Sequence, residues 1–309
     1  MPETPLFNEI KSLETEQRNP VSSNIDIAST LEILEIINSE DKKVALAVEK
    51  VIPAIEIAVE RIVAAFQEGG RLFYLGAGTS GRIGIVDAAE CPPTFGTPAE
   101  MVQAIIAGGN EAVFAAQEGA EDSLEAGAEI FQKYGITNKD ILCGIAASGR
   151  TPIVRGALDR AKELGVYTIF LSTISEKRIA ELGISANCVI APQVGAEVIT
   201  GSTRMKSGTA QKLVLNMLTT TAMVKLGKTY SNVMIDLQMT NKKLIERAKR
   251  TLMEICEVDY DKATQTLDIA NYNVKTAILM LLGNHSLDSA KILLEQNNGF
   301  VKKALQSPN

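Results

Sequence analysis

The sequence predicts an α/β protein built as a three-layer sandwich, in which a five-stranded parallel sheet lies between two layers of helices. The first observation behind this is a set of short runs that are apolar throughout, as expected of strands covered on both faces. The second is that segments of helical periodicity separate these runs, which is the order of a doubly wound sheet. The apolar runs are residues 71–75, 101–106, 140–146, 166–171 and 187–191, and the helical segments lie near residues 79–90, 111–133, 151–164 and 176–182.

Two helices are predicted before the first strand. Ser29 and Glu32 form a capping-box pattern at the start of a helix that runs to about Ser39. A longer amphipathic helix spans residues 41–68, with a kink or break at Pro53. This longer helix is a plausible interface between subunits, although simple packing on its own sheet explains its pattern equally well.

The last third of the chain is predicted to be helical. The predicted helices cover residues 203–226, 240–256, 260–269, 273–282, 286–295 and 298–305. We therefore divide the chain into an N-terminal helical segment (1–58), an α/β domain (59–227) and a C-terminal helical domain (228–309).

Composition narrows the classes of function. With 309 residues and 46% hydrophobic content, the chain can bury a large core. The formal net charge of −6 argues against nucleic acid as a partner, because binding to a phosphate backbone needs a basic face. No apolar run approaches a membrane-spanning length, and the polar N-terminus is unlike a signal peptide. The sequence predicts a cytoplasmic protein that binds neither nucleic acid nor membrane.

Cysteine and histidine content bears on the kind of chemistry. The four cysteines form no CxxC pair or Cys/His cluster, so we expect no metal, no redox pair and no cofactor. Cys143 and Cys188 lie in strand-like runs and are predicted to be buried thiols. The single His285 lies among the C-terminal helices, so a His-based triad is not expected. Any chemistry must come from carboxylates, hydroxyls, Lys or Arg.

Two loops, residues 76–82 and 146–151, carry the strongest signal of a binding site. Each is rich in Gly, Ser and Thr, follows a predicted strand and precedes a predicted helix. Such a loop binds phosphate, because Gly lets the backbone approach the anion and the free N–H groups and dipole of the helix favour negative charge. Two such loops in one sheet predict one small phosphorylated ligand held from two sides.

Other interpretations of these loops fit less well. The first loop matches the GxGxxG pattern of dinucleotide sites, which needs an acidic residue about 20 positions on. Here Glu111 comes late for that role, and a dinucleotide leaves the second loop unexplained. A purely structural turn remains an alternative for either loop alone. Hydroxyls that can donate to a phosphate are present at Ser80, Ser148 and Thr151.

Charged side chains near these loops have both functional and ordinary interpretations. Four basic residues can supply positive charge to the ligand, or they can be ordinary surface charges. They are Arg82, Arg150, Arg204 and Lys206. Glu90 is predicted to end a helix, since Pro92 and Pro93 follow it. A helix C-terminus disfavours negative charge and so favours a protonated acid able to donate a proton; the alternative is a solvated helix end.

Two further acids, Glu121 and Glu197, are candidates. Glu121 lies in a predicted helical stretch with Glu118 and Asp122, and spacing does not separate a catalytic acid from an exposed acidic face. Glu197 follows the last predicted strand and can also face the cleft.

Five motifs together resemble one family. The segments GAGTSGRIGIVDAAECPPTFG, IAGG, EGAEDS, GIAASGRTP and TGSTRMKSGTAQKLVLNML are similar to those of the bacterial N-acetylmuramic acid 6-phosphate etherases, and the resemblance covers nearly the whole chain. Ala89 and Thr203 stand where that family has Ser, which are mild changes. The resemblance implies a sugar isomerase (SIS) domain at the core and a small ubiquitin-associated-like bundle at the C-terminus.

The resemblance also implies an activity. It implies cleavage of the D-lactyl ether of N-acetylmuramic acid 6-phosphate with water, by elimination and then hydration through an unsaturated open-chain aldehyde, without a metal and in a homodimer. Glu90 is then the general acid and Glu121 the second catalytic carboxylate. The residues expected to bind the phosphorylated amino sugar are Gly78, Thr79, Ser80, Ala147, Ser148, Gly149, Thr151, Glu197, Ser202, Arg204 and Lys206.

Two other functions use the same loops. An aldose–ketose isomerase of a phosphosugar needs the phosphate loops and a base, but releases no lactate. A non-catalytic sugar-phosphate sensor, like the related glucokinase regulatory protein, can lose the carboxylates. The presence of both Glu90 and Glu121 favours the enzyme.

Overall fold

The computed structural model describes residues 13–236, 239 and 242–307, and within these the chain forms two compact units. One unit consists of the described residues up to Ala88 together with Glu100–Leu218, and the other of Ala89–Ala99 together with the described residues from Thr219 onward. The division of the chain into 1–58, 59–227 and 228–309 stays a prediction.

A five-stranded sheet forms the centre of the first unit, which confirms the predicted fold class. All neighbouring strands are parallel, in the order β2-β1-β3-β4-β5. The strands are β1 (Leu72–Gly76), β2 (Val102–Ile106), β3 (Ile141–Ile145), β4 (Tyr167–Leu171) and β5 (Cys188–Ile190). Every residue of β1 and β3 is buried, as the apolar runs predict for strands covered on both faces.

Helices flank this sheet. They are α1 (Thr30–Glu49), α2 (Ile52–Gln67), α3 (Gly78–Phe95), α4 (Glu111–Phe114), α5 (Leu124–Tyr134), α6 (Pro152–Leu164), α7 (Glu176–Glu181) and α8 (Lys206–Lys225). The capping box of Ser29 and Glu32 is present. The prediction that this helix ends near Ser39 is wrong, because no helix-ending residue stands there and α1 continues for ten more residues. Pro53 lies in the first turn of α2, where a proline is tolerated.

The packing of α2 bears on whether the N-terminal helices form an interface between subunits or pack on their own sheet. One face of α2 is buried within its own unit, through Ile55, Ala58, Val59, Ile62, Val63 and Phe66. Helix α1 buries far less and leaves Leu31 and Leu34 65% and 59% exposed. Helix α2 also leaves Ile52 and Ile57 46% and 57% exposed. Both helices therefore carry uncovered apolar side chains, and the subunit interface at residues 41–68 stays a prediction.

Five helices with a common apolar core dominate the described part of the second unit. They are α9 (Lys242–Cys256), α10 (Tyr260–Ile269), α11 (Val274–Leu282), α12 (Leu287–Gln296) and α13 (Val301–Gln306). The prediction of helices only after Gly227 misses a short antiparallel pair, β6 (Thr229–Tyr230) and β7 (Val233–Met234). Two-residue strands are too short to show a periodic pattern. The predicted start of a helix at residue 240 lies outside the described residues.

Two further findings concern the whole described chain. Cys143 and Cys188 are buried free thiols, as predicted, and burial raises the pKa of both. None of the helices within residues 13–236 and 242–307 combines the length and apolar character needed to cross a membrane.

Candidate functional site

The two Gly/Ser/Thr loops emerge side by side from the sheet. Strands β1 and β3 are direct neighbours, and Gly76 at the end of β1 pairs in register with Ile145 at the end of β3. Both loops therefore begin at the carboxyl edge of the sheet, where parallel α/β folds bind their ligands. The structure thus brings together the two segments that the sequence indicates as phosphate loops.

The first loop turns so tightly that it needs glycine. A Cβ on Gly81 would lie 2.8 Å from the carbonyl oxygen of Gly76 and 2.6 Å from Cγ1 of Ile106. Gly78 begins α3 with a φ of +51°. The N–H groups of the first helical turn have no carbonyl four residues back to bond, so this turn can offer donors to an anion.

Ser80 is held by a residue that sequence reasoning missed. Its Oγ donates to Oε1 of Gln211 in α8 at 3.0 Å, and both side chains are buried. Gln211 belongs to the motif TGSTRMKSGTAQ, which is the signal that pointed to this region. Nothing local to the sequence pairs Gln211 with Ser80, since the two are 131 positions apart.

The second loop is anchored through the carbonyl of Ala147. This oxygen accepts from Ser172 Oγ at 3.0 Å and from the backbone N–H of Thr173 at 3.2 Å. Thr151 occupies the N-cap of α6 without a side-chain capping bond. Ser148 accepts from the N–H of Arg150 at 3.4 Å, and its side chain is part-exposed like that of Thr151. Both hydroxyls can therefore reach a ligand, whereas Gly149, with a φ of +74°, forms the turn between them.

A cavity of about 190 Å³ joins the first loop to Glu121. Its lining includes Gly78, Arg82 and Glu121. Arg82 donates to the backbone oxygens of Ala112 and Val113 at 2.8 and 2.9 Å, so it ties the segment after β2 to α3. The placement of Glu121 in one long helix is wrong, because the predicted stretch divides into α4 and α5 and Glu121 lies in the turn region between them.

The surroundings of Glu121 separate it from its acidic neighbours. Partial desolvation of the carboxyl raises the pKa of Glu121, and the charges of Asp122 and Glu118 raise it further. A carboxylate with a raised pKa is a stronger base once ionised, which suits proton abstraction. This distinction depends on tertiary structure and is invisible in the spacing of the three acids.

Glu90 does not lie at a helix end. Helix α3 continues through Pro92 and Pro93 to Phe95, so the prediction that the two prolines stop the helix is wrong. Prolines remove their own N–H donors, but the N–H of Gly96 donates to the oxygen of Pro92 at 2.9 Å and so continues the helical bonding. Glu90 is exposed, and the helix-end argument for a protonated acid no longer applies to it.

Glu197 and Lys206 form a buried network at the start of α8. The carboxylate of Glu197 accepts from the backbone N–H groups of Lys206 and Ser207 at 3.0 and 2.9 Å, which caps the helix. The Nζ of Lys206 pairs with Glu40 at 2.7 Å, and both side chains are buried. Asn19 donates to the same Glu40 carboxylate at 2.9 Å. The polar groups of both predicted ligand residues are thus used within the protein.

This network lines a second cavity. It measures about 530 Å³ and includes Lys206, Glu40 and Gly195. None of its lining residues lines the cavity of Glu121. Ser202 and Arg204 lie between β5 and α8, in the turns just before α8. Ser202 is part-exposed there and Arg204 is exposed.

Replacing Lys206 with Met is expected to destabilise the fold by roughly 3–5 kcal/mol, because it leaves the Glu40 carboxylate buried beside one fewer cation. Burial alone would raise the pKa of Glu40, but hydrogen bonds from Lys206, Lys43 and Asn19 outweigh it and lower the pKa to about 2. The midpoint of urea unfolding at pH 7 measures the effect.

The double variant K206M/E40Q is the control for this prediction, since it removes both charges and should recover part of the loss. Because the folded pKa of Glu40 is lowered, its contribution is complete above the ordinary value near 4.5 and is lost as the pH falls toward 2. A midpoint unchanged in K206M would show that the ion pair contributes nothing to stability.

The fold and the two loops define a class of protein. Residues 54–162 match the family model of the glucokinase regulatory protein N-terminal SIS domain, so this part of the chain is similar to an SIS domain. The chain is 55% identical over 302 residues to the N-acetylmuramic acid 6-phosphate etherase of Salinibacter ruber, covering 97% of this chain and 96% of that protein. It is 53% identical over 302 residues to the etherase of the same name from Clostridioides difficile, with 98% of each covered. The chain belongs to the N-acetylmuramic acid 6-phosphate etherase family.

A solved structure was also found to be similar. The phosphoheptose isomerase of Neisseria gonorrhoeae aligns with 63% of this chain and 98% of its own, with a TM-score of 0.47 and 16% sequence identity.

Proposed function

We propose that this protein cleaves the D-lactyl ether of N-acetylmuramic acid 6-phosphate with water, giving N-acetylglucosamine 6-phosphate and D-lactate. Relatives that are more than half identical over nearly the whole chain carry the name of this activity. The observation that carries the proposal is the cavity that is lined both by Gly78 of the first loop and by Glu121, whose carboxyl is partly desolvated.

The phosphate is bound between the two loops in this proposal. Hydroxyls from Ser80, Ser148 and Thr151 donate to its oxygens, and each can give one hydrogen bond. Backbone N–H groups add further donors at Gly78, Thr79 and Ala147. The N–H of Gly149 donates to the oxygen of Ala146 at 3.2 Å, so Gly149 contributes by shaping the turn of the second loop. The phosphate group itself takes no part in the bond changes, so its role is to position carbons 2 and 3 of the sugar.

Elimination begins with a proton transfer. The sugar opens to an aldehyde at carbon 1, which acidifies the hydrogen on carbon 2. The ionised carboxylate of Glu121 removes that proton, and the electron pair forms the double bond between carbons 2 and 3. The bond between carbon 3 and the lactyl oxygen breaks, and that oxygen takes a proton from Glu90, so D-lactate leaves with its own oxygen.

Hydration reverses these transfers. Water adds its oxygen to carbon 3 of the unsaturated aldehyde and gives a proton to the Glu90 carboxylate. Carbon 2 recovers a proton from Glu121, and both carboxyl groups return to their starting state. The sum is one substrate and one water converted to two products, and each proton transfer contributes a factor of about 10²–10⁴ to the rate.

The turns before α8 complete the proposed site. We assign contacts with the sugar to Ser202 and Arg204, which are accessible there. Glu197 and Lys206, whose polar groups bond within the protein, contribute by holding these turns and the start of α8.

The proposal includes a cytoplasmic homodimer. All four cysteines are free thiols, which is usual in a reducing compartment. The exposed apolar side chains of α1, Leu31 and Leu34, are suited to cover by a second copy of the chain.

Release of D-lactate from N-acetylmuramic acid 6-phosphate in water labelled with heavy oxygen tests the proposed reaction. Lactate formed at a catalytic rate, with the label in the sugar product, supports elimination followed by hydration. Label in the lactate instead would mean displacement at the lactyl carbon. Absence of lactate, from folded protein that still binds the sugar phosphate, would favour the isomerase or the sensor.

The expected pH dependence of lactate release follows from the surroundings of Glu121, which raise its pKa. Since the ionised form is the base, a raised pKa of Glu121 moves the acidic limb of kcat/KM to higher pH. Asp122→Asn removes one of the charges that raise this pKa, so the acidic limb is expected to move to lower pH. Steady-state lactate release between pH 4 and 8 measures it.

The matched control is Asp159→Asn, a loss of one carboxylate at an exposed position of α6, which should leave the limb in place. An acidic limb that stays unmoved in D122N, or moves to higher pH, would remove Glu121 from the titration that controls activity.

A further inference from the structure

We propose that Gln211 is a positioning residue that turns the Ser80 hydroxyl proton toward the phosphate of the ligand. The inference rests on the proposed function, because it takes Ser80 as a phosphate donor. It adds to that function a residue of α8 whose amide decides where the Ser80 proton points.

The contact between the two side chains is buried and specific. Ser80 Oγ donates to Gln211 Oε1 at 3.0 Å, and the residues are 8% and 1% exposed. In this arrangement the only proton of the hydroxyl is used inside the protein. Ser80 cannot then donate to a phosphate, whose oxygens accept hydrogen bonds but are poor donors near neutral pH.

The other half of the Gln211 amide is the second observation. Its Nε2 is buried and meets no acceptor among the residues that the structure describes. A buried donor without a partner is unfavourable, so this group is poised to change its bonding. Rotation by 180° about the last side-chain torsion exchanges Oε1 and Nε2, and that torsion is broad and roughly two-fold.

The rotated amide supplies what the ligand-bound site needs. Nε2 then donates to Ser80 Oγ, and the Ser80 proton is free to point at a phosphate oxygen. A hydroxyl donates one hydrogen bond and can accept two, so both arrangements satisfy Ser80. The side chain at this position must accept from Ser80 when no ligand is bound and donate to Ser80 when phosphate is bound. An amide can do both, because it carries a donor and an acceptor that exchange places on rotation.

Helix α8 is fixed well enough to hold Gln211 in this position. Its start is capped by Glu197 through the N–H groups of Lys206 and Ser207. One turn before Gln211, Ser207 Oγ lies 3.0 Å from Thr173 Oγ1, which bonds to the carbonyl of Ala147 in the second loop. Helix α8 is thus bonded directly to the first loop through Ser80 and is linked to the second loop by way of Thr173.

The test is Gln211→Glu, studied by steady-state release of D-lactate across the pH range. When ionised, the carboxylate accepts from Ser80 and holds its proton away from the phosphate, so KM relative to wild type at the same pH is expected to rise about 10- to 100-fold. When protonated, the acid offers an O–H donor and a carbonyl acceptor like the amide, so KM should return toward the wild-type value as the pH falls. The value of kcat should change only a few-fold.

Two further variants keep the test decisive. Gln211→Met removes both donor and acceptor without charge, and its KM should rise by a ratio to wild type that does not vary with pH. Gln132→Glu, an exposed position on α5, should leave KM unchanged. If Q211E does not fold, a wild-type KM in Q211M is enough to overturn the proposal.

Failure of this inference differs from failure of the proposed function. A Q211E ratio that is constant with pH, or a loss of kcat with KM unchanged, overturns the role of Gln211 while wild type still releases lactate. If wild type releases none, calorimetric binding of N-acetylglucosamine 6-phosphate to the same variants gives the same comparison without turnover.

Discussion

Replacing Glu121 with Gln is expected to slow release of D-lactate by about 10²–10⁴-fold, because the amide cannot take the proton from carbon 2. The substitution keeps the size of the side chain at the cavity that Gly78 also lines, so KM should change much less than kcat. Single-turnover and steady-state lactate assays at saturating substrate measure the effect.

Isotope exchange locates the step that Glu121 serves. In E121Q, exchange of the hydrogen on carbon 2 with heavy water should slow along with lactate release, since both need the same base. Glu129→Gln is the matched control, because this carboxylate is exposed on α5 and does not line the cavity, and it should retain turnover within a few-fold. Normal exchange at carbon 2 in E121Q would assign the base to another residue.

Replacing Glu90 with Gln is also expected to slow lactate release by about 10²–10⁴-fold, for a different reason. The lactyl oxygen then leaves without its proton donor, and the water that adds at carbon 3 loses its base. Removal of the proton from carbon 2 does not need Glu90, so E90Q should still exchange that hydrogen with heavy water while it releases little lactate.

The contrast between the two variants is the decisive result. E121Q should lose both exchange and release, and E90Q should lose release alone. Glu100→Gln, another exposed carboxylate, serves as the control for E90Q and should retain normal turnover. Near-normal turnover in folded E90Q would show that Glu90 is not the general acid.

The helix that carries Glu90 does not end where the local sequence pattern predicts. Two adjacent prolines are a strong signal for the end of a helix, since each lacks an N–H donor. In α3 the helix nevertheless runs on to Phe95, because the backbone bonds after the prolines resume. The helix-breaking tendency of the two prolines did not prevent the helical hydrogen bond from Gly96 to Pro92. The proposed role of Glu90 as general acid therefore depends on family membership alone.

The fold class, the alternation of strands and helices and the position of both Gly/Ser/Thr loops were determined by the sequence itself. These features follow from local patterns: apolar runs at strand length, helical periodicity, and Gly, Ser and Thr between a strand and a helix. The predicted boundaries of the five central strands differ from the observed ones by no more than one residue at each end. Burial on both faces requires each strand to be apolar along its length, so the apolar run marks its bounds closely.

Only the tertiary structure decided which polar residues meet. Gln211 reaches Ser80 across 131 positions, and Lys206 reaches Glu40 across 166. It also singled out Glu121, whose carboxyl is partly desolvated, from two acids that the sequence treats alike. Contacts of this kind arise from the packing of distant elements, and both the direction of a hydroxyl proton and the pKa of a carboxyl depend on neighbours that local sequence patterns do not encode.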